Sequence, residues 1–599
     1  MAFEYQPLDA SKGEIRLLTI LRKQPSSEQP HCRLKTVSVD ESPPPEFYSV
    51  SYCWGDPEPR SEITVDGQAI VVPHQTEQTL CHISECVGAV PVWIDAVCIN
   101  QASLQERQEQ IPLMKKIYSN AREGLVFLGP QDDALQATVQ HLFHMQEQMD
   151  KDVTPIGVVA EADSALAKGG CVELDTNPTM FHHITSASPQ FWPQSISCGF
   201  DDGLVQAFYS KAWFSRVWVV QEAILAPKSR CIYGACEIDL DMVLMLAAWI
   251  CILHRHALLE GCSIKSTHIL RGAANMWYMR AFMTHEGSMD CILPLGSCRD
   301  LQASDIRDKV FGQLAILCPT SELPPALTPD YVRPAREVFR DVMRYAMLES
   351  KHGIGVLCYT VNREGVKTMS DGFPSWVARF DKPQVWSEQW GSFNFPYERL
   401  LDATQLQLVR DSRDPDTLRL QGSMVSHVML LGREFSKAQA VGTMREWFAM
   451  LDELLPQLTN VLRDRLVRLA CADHLRNITP TSRDDRKPLR TPTGAVPDDS
   501  ETAVNKRFEW WEQVGNACQG RQLAITEHGD MALVPKTTEP GDCVVRFTDC
   551  NSMFVLRPDG DASRFVGECY VDGAHVWQTE YVDTQVRIAD AELQIFDIQ

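Results

Sequence analysis

Three short apolar segments, each running into small or polar residues, constrain this chain more than anything else in it. Phe47–Tyr52 leads into Cys53-Trp54-Gly55-Asp56, Pro91–Asp95 leads into Ala96 to Gln101, and Gly124–Leu128 leads into Gly129-Pro130. None alternates strictly between apolar and polar residues, as expected of strands covered on both faces. Between the second and third, Ser103-Leu-Gln-Glu106 reads as a capping box, with Glu106 as its return arm. Ile111, Met114, Ile117, Tyr118 and Ala121 follow at helical spacing, and Pro112 predicts a kink there because it lacks an N–H and crowds the preceding turn. Strand, helix, strand, helix, strand predicts an α/β fold: a small parallel sheet flanked by helices, with right-handed crossovers. Ligands gather at the carboxyl ends of such strands, here Trp54 to Asp56, Asp95 to Gln101, and Gly129.

A second feature lies further along. Trp213-Phe-Ser-Arg-Val-Trp-Val-Val-Gln-Glu222 places an acid one helical turn after Trp218 in a setting almost free of charge. On a helix, Trp218 and Glu222 share a face, with the indole beside the carboxylate. Such a carboxylate is unfavourable unless paired, and Arg216 is the only cation in the segment. Two readings stay open: an amphipathic core helix whose Glu222 is bonded to backbone or to an arginine, and a catalytic carboxylate.

The other site candidates divide in the same way. Asp95 at a strand end binds a ribose or a backbone turn. Trp54 and Gly55 admit a nucleotide stacked on the indole, or form a tight turn. Asn100 and Gln101 read an amide or phosphate, or cap the next helix. Arg216 binds phosphate or holds Glu222 in its rotamer. Asp308, between Arg307 and Lys309, reads as part of a solvated ion-pair cluster.

The net charge of −23 argues against general nucleic-acid binding, which needs a dominant basic face. The longest apolar run, Met242 to Leu253, is shorter than the ~20 residues that span a bilayer and reads as a buried helix. No signal pattern opens the chain, and the 20 cysteines show neither zinc spacing nor a disulfide framework. A cytoplasmic protein with no metal and no bound cofactor is expected. Four regions are expected: 1–240, holding the α/β domain with an irregular insertion at about 131–206 that is a candidate lid; a mainly helical region, 241–475; a linker or exposed loop, 476–506; and a small β-rich module, 507–599.

Ser51-Tyr-Cys-Trp-Gly-Asp56, Trp93-Ile-Asp-Ala-Val-Cys-Ile-Asn-Gln101, Glu106-Arg107 and Arg216-Val-Trp-Val-Val-Gln-Glu222 together resemble the heterokaryon incompatibility (HET) domain of filamentous fungi. Tyr5-Gln-Pro-Leu8, Arg307-Asp-Lys-Val-Phe-Gly312, Pro329-Asp-Tyr331 and Gly567-Glu-Cys-Tyr-Val571 fit the longer proteins that carry it. That domain is in turn similar to Toll/interleukin-1 receptor (TIR) domains, which implies a TIR-like core. In the TIR domains that cleave nicotinamide adenine dinucleotide (NAD), the glutamate of a Trp-x-x-x-Glu motif is catalytic, and by motif it corresponds to Glu222. The resemblance implies non-self recognition and programmed cell death. The means is either NAD hydrolysis, with Trp54, Gly55, Asp95, Asn100, Gln101, Arg216 and Trp218 around the substrate, or a non-catalytic adaptor working by self-association. Homo-oligomerisation on activation and an unidentified protein trigger are the partners it implies.

Overall fold

The computed structural model describes residues 3–21, 30–56, 58–151, 199–255, 259, 261–286, 290–318, 323–350, 352–360, 372–382, 401–411, 414–436, 439–454, 466, 469–470, 514–515, 518–550, 552–572 and 592–599. They form two compact units, Met1–Ala335 and Arg336–Gln599. The predicted linker at 476–506 lies outside the described residues, as does most of the predicted insertion.

The first unit is built on a nine-stranded sheet. Its strands are β1 (Glu14–Leu21), β2 (His31–Ser38), β3 (Tyr48–Tyr52), β4 (Arg60–Val65), β5 (Gln68–Pro73), β6 (Pro91–Trp93), β7 (Glu123–Gly129), β8 (Ser229–Tyr233) and β9 (Cys236–Asp239), in the order β5-β4-β2-β1-β6-β3-β7-β8-β9. The run β6-β3-β7-β8 is parallel, as the apolar segments predict. The sheet is nevertheless larger and more mixed than the expected small parallel one. β1 joins β6 antiparallel, the β4–β5 hairpin joins through β2, and β9 closes the far edge antiparallel to β8. Of these, β2, β4, β5 and β9 are half-solvated, so their apolar pattern is weaker than that of the central four, while β1 is buried along most of its length.

Residues alternate between two cores along the central strands. Leu125, Phe127 and Ile232 enter one; Val126, Leu128, Cys231 and Tyr233 enter the other. Burial on both faces explains why these strands read as continuous apolar runs. Val50 and Tyr52 of β3 enter the first core. Ser49 and Ser51 therefore face the second, on the side where Val126 pairs with Ser51.

The helices α1 (His74–Val87), α2 (Asp95–Cys98), α3 (Leu104–Gln110) and α4 (Met114–Asn120) lie between β5 and β7. A 3-10 turn, Ile111–Leu113, separates α3 from α4 at Pro112, which is the predicted kink. After β7, Leu135–Lys151 forms α5, so the start of the supposedly irregular insertion is a regular element. Leu135, Val139, Leu142, Met145 and Met149 recur on one helical face and are buried in the second core. Next come α6 (Asp202–Tyr209), α7 (Val219–Leu225), α8 (Leu240–Arg255) and α9 (Ile264–Glu286), the last two packed on each other. No helix among the described residues is long and apolar enough to cross a membrane.

In the second unit, β10 (Leu418–Glu434), β11 (Arg521–Thr526), β12 (Met531–Pro535), β13 (Cys543–Phe547), β14 (Met553–Asp559), β15 (Ala562–Val571) and β16 (Leu593–Ile598) form one sheet. β10 falls in the region expected to be mainly helical. It pairs with β13 and β16 along its first part and with β11 along its last, bending at bulges between Met424 and Ser426, Val428 and Leu430, and Leu431 and Glu434. The β10–β11 pairing closes β10 to β15 into a barrel, which removes exposed sheet edges. Val428, Ala532, Val544, Val555 and Val571 belong to one core cluster of this barrel.

Candidate active site

The site forms where the chain switches direction across the sheet. β6 and β7 flank β3 on opposite sides, so the carboxyl end of β3 is a topological switch point, the place where such sheets usually bind ligands. There the backbone turns through Cys53, Trp54 and Gly55. Gly55 has φ of +71°, and a Cβ on it would lie 2.6 Å from Cγ of Gln75, so the turn requires glycine.

The Trp54 indole donates to both oxygens of Asp95, at 3.0 and 3.2 Å. Asp95 begins α2 and accepts the N–H of its neighbour Ala96 at 2.7 Å, so its carboxylate bonds the first turn of the helix as well as receiving the indole. Gln101 donates to the Asp95 carbonyl at 2.8 Å, and the Asn100 side chain accepts the Ala102 N–H at 3.2 Å. Neither caps α3, whose N-cap is Ser103; both make local bonds in the turn before it. Ser103 caps α3 as predicted, accepting the Glu106 N–H at 3.2 Å. The Glu106 carboxylate, however, is not the return arm of a capping box. It accepts the Asn100 N–H at 2.7 Å and pairs with buried Arg16 at 2.6 Å, because Arg16, 2% exposed on β1, offers a stronger partner than an amide.

The Trp213–Glu222 segment is not one continuous helix. Ala212–Ser215 is a 3-10 turn, Arg216 is extended (φ −92°, ψ 142°), and α7 follows from Val219. The Trp213 indole donates to Ser51 Oγ at 2.6 Å, and Ser51 donates to Glu222 Oε2. An indole N–H can only donate, so it occupies a lone pair of Ser51 and leaves the serine proton for the carboxylate. Tyr118 supplies a second side-chain hydrogen bond to Glu222. Arg216 donates to the Tyr52 carbonyl and to Cys53. The Trp218 indole bonds to Asp308.

Burial pushes Glu222 up to about 7. The Arg216 charge and the Ser51 bond oppose this, the Asp95 charge adds to it, and the Tyr118 bond opposes it. Asp95 is also raised by burial, against Arg216 and the Trp54 and Ala96 bonds. Burial works against the Arg216 charge, but Glu222, Cys53 and Asp95 hold it protonated. Glu222 as a whole residue is half-buried, while its carboxyl is largely desolvated. The arrangement offers a poorly hydrated carboxylate, held by two hydroxyl-bearing side chains and balanced by one guanidinium.

Asp308 differs from its expectation. It is 9% exposed, accepts Tyr331 Oη at 2.7 Å, and burial lifts it to about 6 against the Tyr331 and Trp218 bonds. Arg307 pairs instead with Asp305, and Lys309 donates to backbone carbonyls, so no solvated ion-pair cluster forms. Ser51, Tyr118, Trp213 and Asp308 are the site residues sequence reasoning missed. Ser51 alone carried a signal, as a hydroxyl in an apolar strand.

Residues 47–222 match the heterokaryon incompatibility protein (HET) family, and residues 500–587 match the Het-6 beta-barrel domain. Across 693 aligned positions the chain is 23% identical to heterokaryon incompatibility protein 6, OR allele, of Neurospora crassa, covering 98% of this chain and 97% of the relative. The chain carries a HET domain and is similar to this heterokaryon incompatibility protein over nearly its full length. No solved structure matches it. The matched HET stretch begins at Phe47, just before β3, and ends on Glu222. It holds every residue that bonds to Glu222, whereas β1, β2 and Asp308 lie outside it.

Proposed function

We propose that this HET protein acts in non-self recognition by hydrolysing NAD to nicotinamide and ADP-ribose, with Glu222 as the catalytic carboxylate. The observation that carries the reading is the desolvated Glu222 carboxyl near the switch point of the sheet, held by Ser51 and Tyr118 beside Arg216. The parallel run β6-β3-β7-β8, with α7 just before β8, also suits the TIR-like core that the motifs imply.

In this mechanism the bond between C1′ of the ribose and the pyridinium nitrogen breaks, and nicotinamide leaves neutral with the electron pair. Glu222 places negative charge against the developing ribosyl cation, where a preorganised group in a poorly hydrated site acts most strongly. Water then attacks C1′ and releases one proton, giving ADP-ribose. Because the leaving nitrogen is already cationic, no strong general acid is needed. Arg216 faces the diphosphate or orients Glu222, Trp54 offers an aromatic wall beside Gly55, and Asp95, Asn100, Gln101 and Trp218 shape the rim. The protein acts in the cytoplasm, where NAD loss kills the cell, and self-association on contact with a protein trigger brings it into the active state.

A second reading is favoured by the same bonds. Ser51 and Tyr118 satisfy Glu222 from within the fold, as they would in an adaptor that signals by self-association. NAD loss and nicotinamide release by the purified full chain, dilute and concentrated, separate the two. Turnover in the wild type but not in Glu222→Gln supports hydrolysis. No turnover at any concentration, with toxicity on expression that survives Glu222→Gln, supports the adaptor.

A further inference from the structure

The Arg307-Asp308-Lys309 run lies well beyond the HET match, yet Asp308 bonds directly to the segment that carries Glu222, and the two cations beside it hold the backbone and the tyrosine that flank that contact. Asp308 receives the Trp218 indole and Tyr331 Oη. Lys309, 6% exposed, donates to the carbonyls of Arg299 (2.8 Å) and Leu301, which fixes the chain next to Gln302. Gln302 accepts the Val217 N–H at 2.9 Å and donates to the Ser215 carbonyl at 2.5 Å, so it pairs with the extended backbone just before α7. Arg307 grips Asp305 and donates to the Tyr331 and Arg333 carbonyls at 2.5 and 2.9 Å, seating the tyrosine that Asp308 holds. Gly312 packs beside Trp218 and Val217, 3.4 Å from each for a Cβ built there, and a Cβ would lie 2.8 Å from the Asp308 carbonyl oxygen, so glycine is required by the turn that carries Asp308.

We propose that Asp308 is a positioning residue for Glu222, acting through Trp218, and that the functional domain therefore extends through Tyr331. Trp218 immediately precedes α7 and stands one turn before Glu222, so fixing its indole fixes the start of the helix that aims the carboxylate. As a statement about turnover, this rests on the glycohydrolase reading.

The test uses Asp308→Asn, Asp308→Leu and Trp218→Phe in the full chain, with two readouts. Asparagine keeps an acceptor for both donors; leucine keeps none. The first readout is the change in melting temperature on adding Glu222→Gln at about pH 8 in each background. The gain is expected in the wild type and in Asp308→Asn, and is expected to fall by at least about half in Asp308→Leu and Trp218→Phe, where a loosened Glu222 hydrates. The second is NAD hydrolysis. Asp308→Leu is expected to lower kcat about 10–100-fold with KM changed less than about threefold, Asp308→Asn to stay near wild type, and Asp308→Leu to add little to Trp218→Phe.

An undiminished Glu222→Gln gain in Asp308→Leu, or losses that add fully in the double variant, overturn the proposal. If Asp308→Leu does not fold, the Asp308→Asn and Trp218→Phe backgrounds decide by the first readout. A wild type that leaves NAD untouched while the melting cycle shows coupling would sink the glycohydrolase reading and keep Asp308 as the positioning residue. Turnover without coupling would do the reverse.

Discussion

Replacing Glu222 by glutamine is expected to stabilise the first unit, and to do so only where the carboxyl is ionised. Its value rises from 4.5 to about 7 on folding, because burial outweighs Arg216, Ser51 and Tyr118. The folded chain therefore holds this proton more tightly than the unfolded chain. The stability it contributes is fully present below about 4.5 and is lost as pH rises through about 7. At about 1.4 kcal/mol per tenfold, the full effect is about 3 kcal/mol above that range. Partial exposure of Glu222 and the lost attraction of Arg216 reduce the gain from glutamine to about 1–3 kcal/mol. For a unit of this size, that is an increase of about 2–6 °C in melting temperature. Thermal unfolding of both proteins at about pH 5 and about pH 8 reads the difference directly, since other titrating groups cancel between them. Glutamine that gives no gain at the higher pH, or the same gain at both, would show that Glu222 is well hydrated and refute the reasoning.

Removing the Ser51 hydroxyl tests the donor chain: Ser51→Ala strands the Trp213 N–H, lowering stability by about 1–3 kcal/mol in urea unfolding, and lifts Glu222 further above about 7. If NAD is hydrolysed, the acid limb of the wild-type kcat profile should lie near about 7, rising with pH as Glu222 ionises, and Ser51→Ala should shift it upward. Arg16→Met leaves the Glu106 carboxylate buried without its cation and should cost about 3–5 kcal/mol, measured by urea unfolding; Arg16→Met paired with Glu106→Leu should recover much of that loss.

Much of the site's framework was legible in the sequence because it depends on neighbours along the chain. Apolar runs marked β3, β6 and β7, Ser103 marked a helix start, and Pro112 marked a break. Glu222 stood out because Arg216 is the only other charge in the Trp213–Glu222 segment. Pattern reading failed where the deciding partner is distant. Glu106 satisfied the capping-box spacing, but Arg16, 90 positions away, took its carboxylate. Asp308 looked solvated between two cations, yet both cations turn elsewhere and Tyr331 and Trp218 bury it.

By itself, then, the sequence determined which segments become central strands, where their ends carry polar residues, and that an isolated carboxylate follows Trp218. Only the tertiary structure decided the strand order that makes β3 the switch point of its sheet, the recruitment of β10 into the C-terminal barrel, and the partners of Glu222. Ser51 and Glu222 are 171 positions apart, and no local pattern encodes their meeting. Strand propensity and helical periodicity are set by adjacent residues, whereas desolvation and hydrogen-bond pairing are set by whatever the packed chain brings alongside. For this protein, the second set turns an ordinary glutamate into one that titrates near about 7.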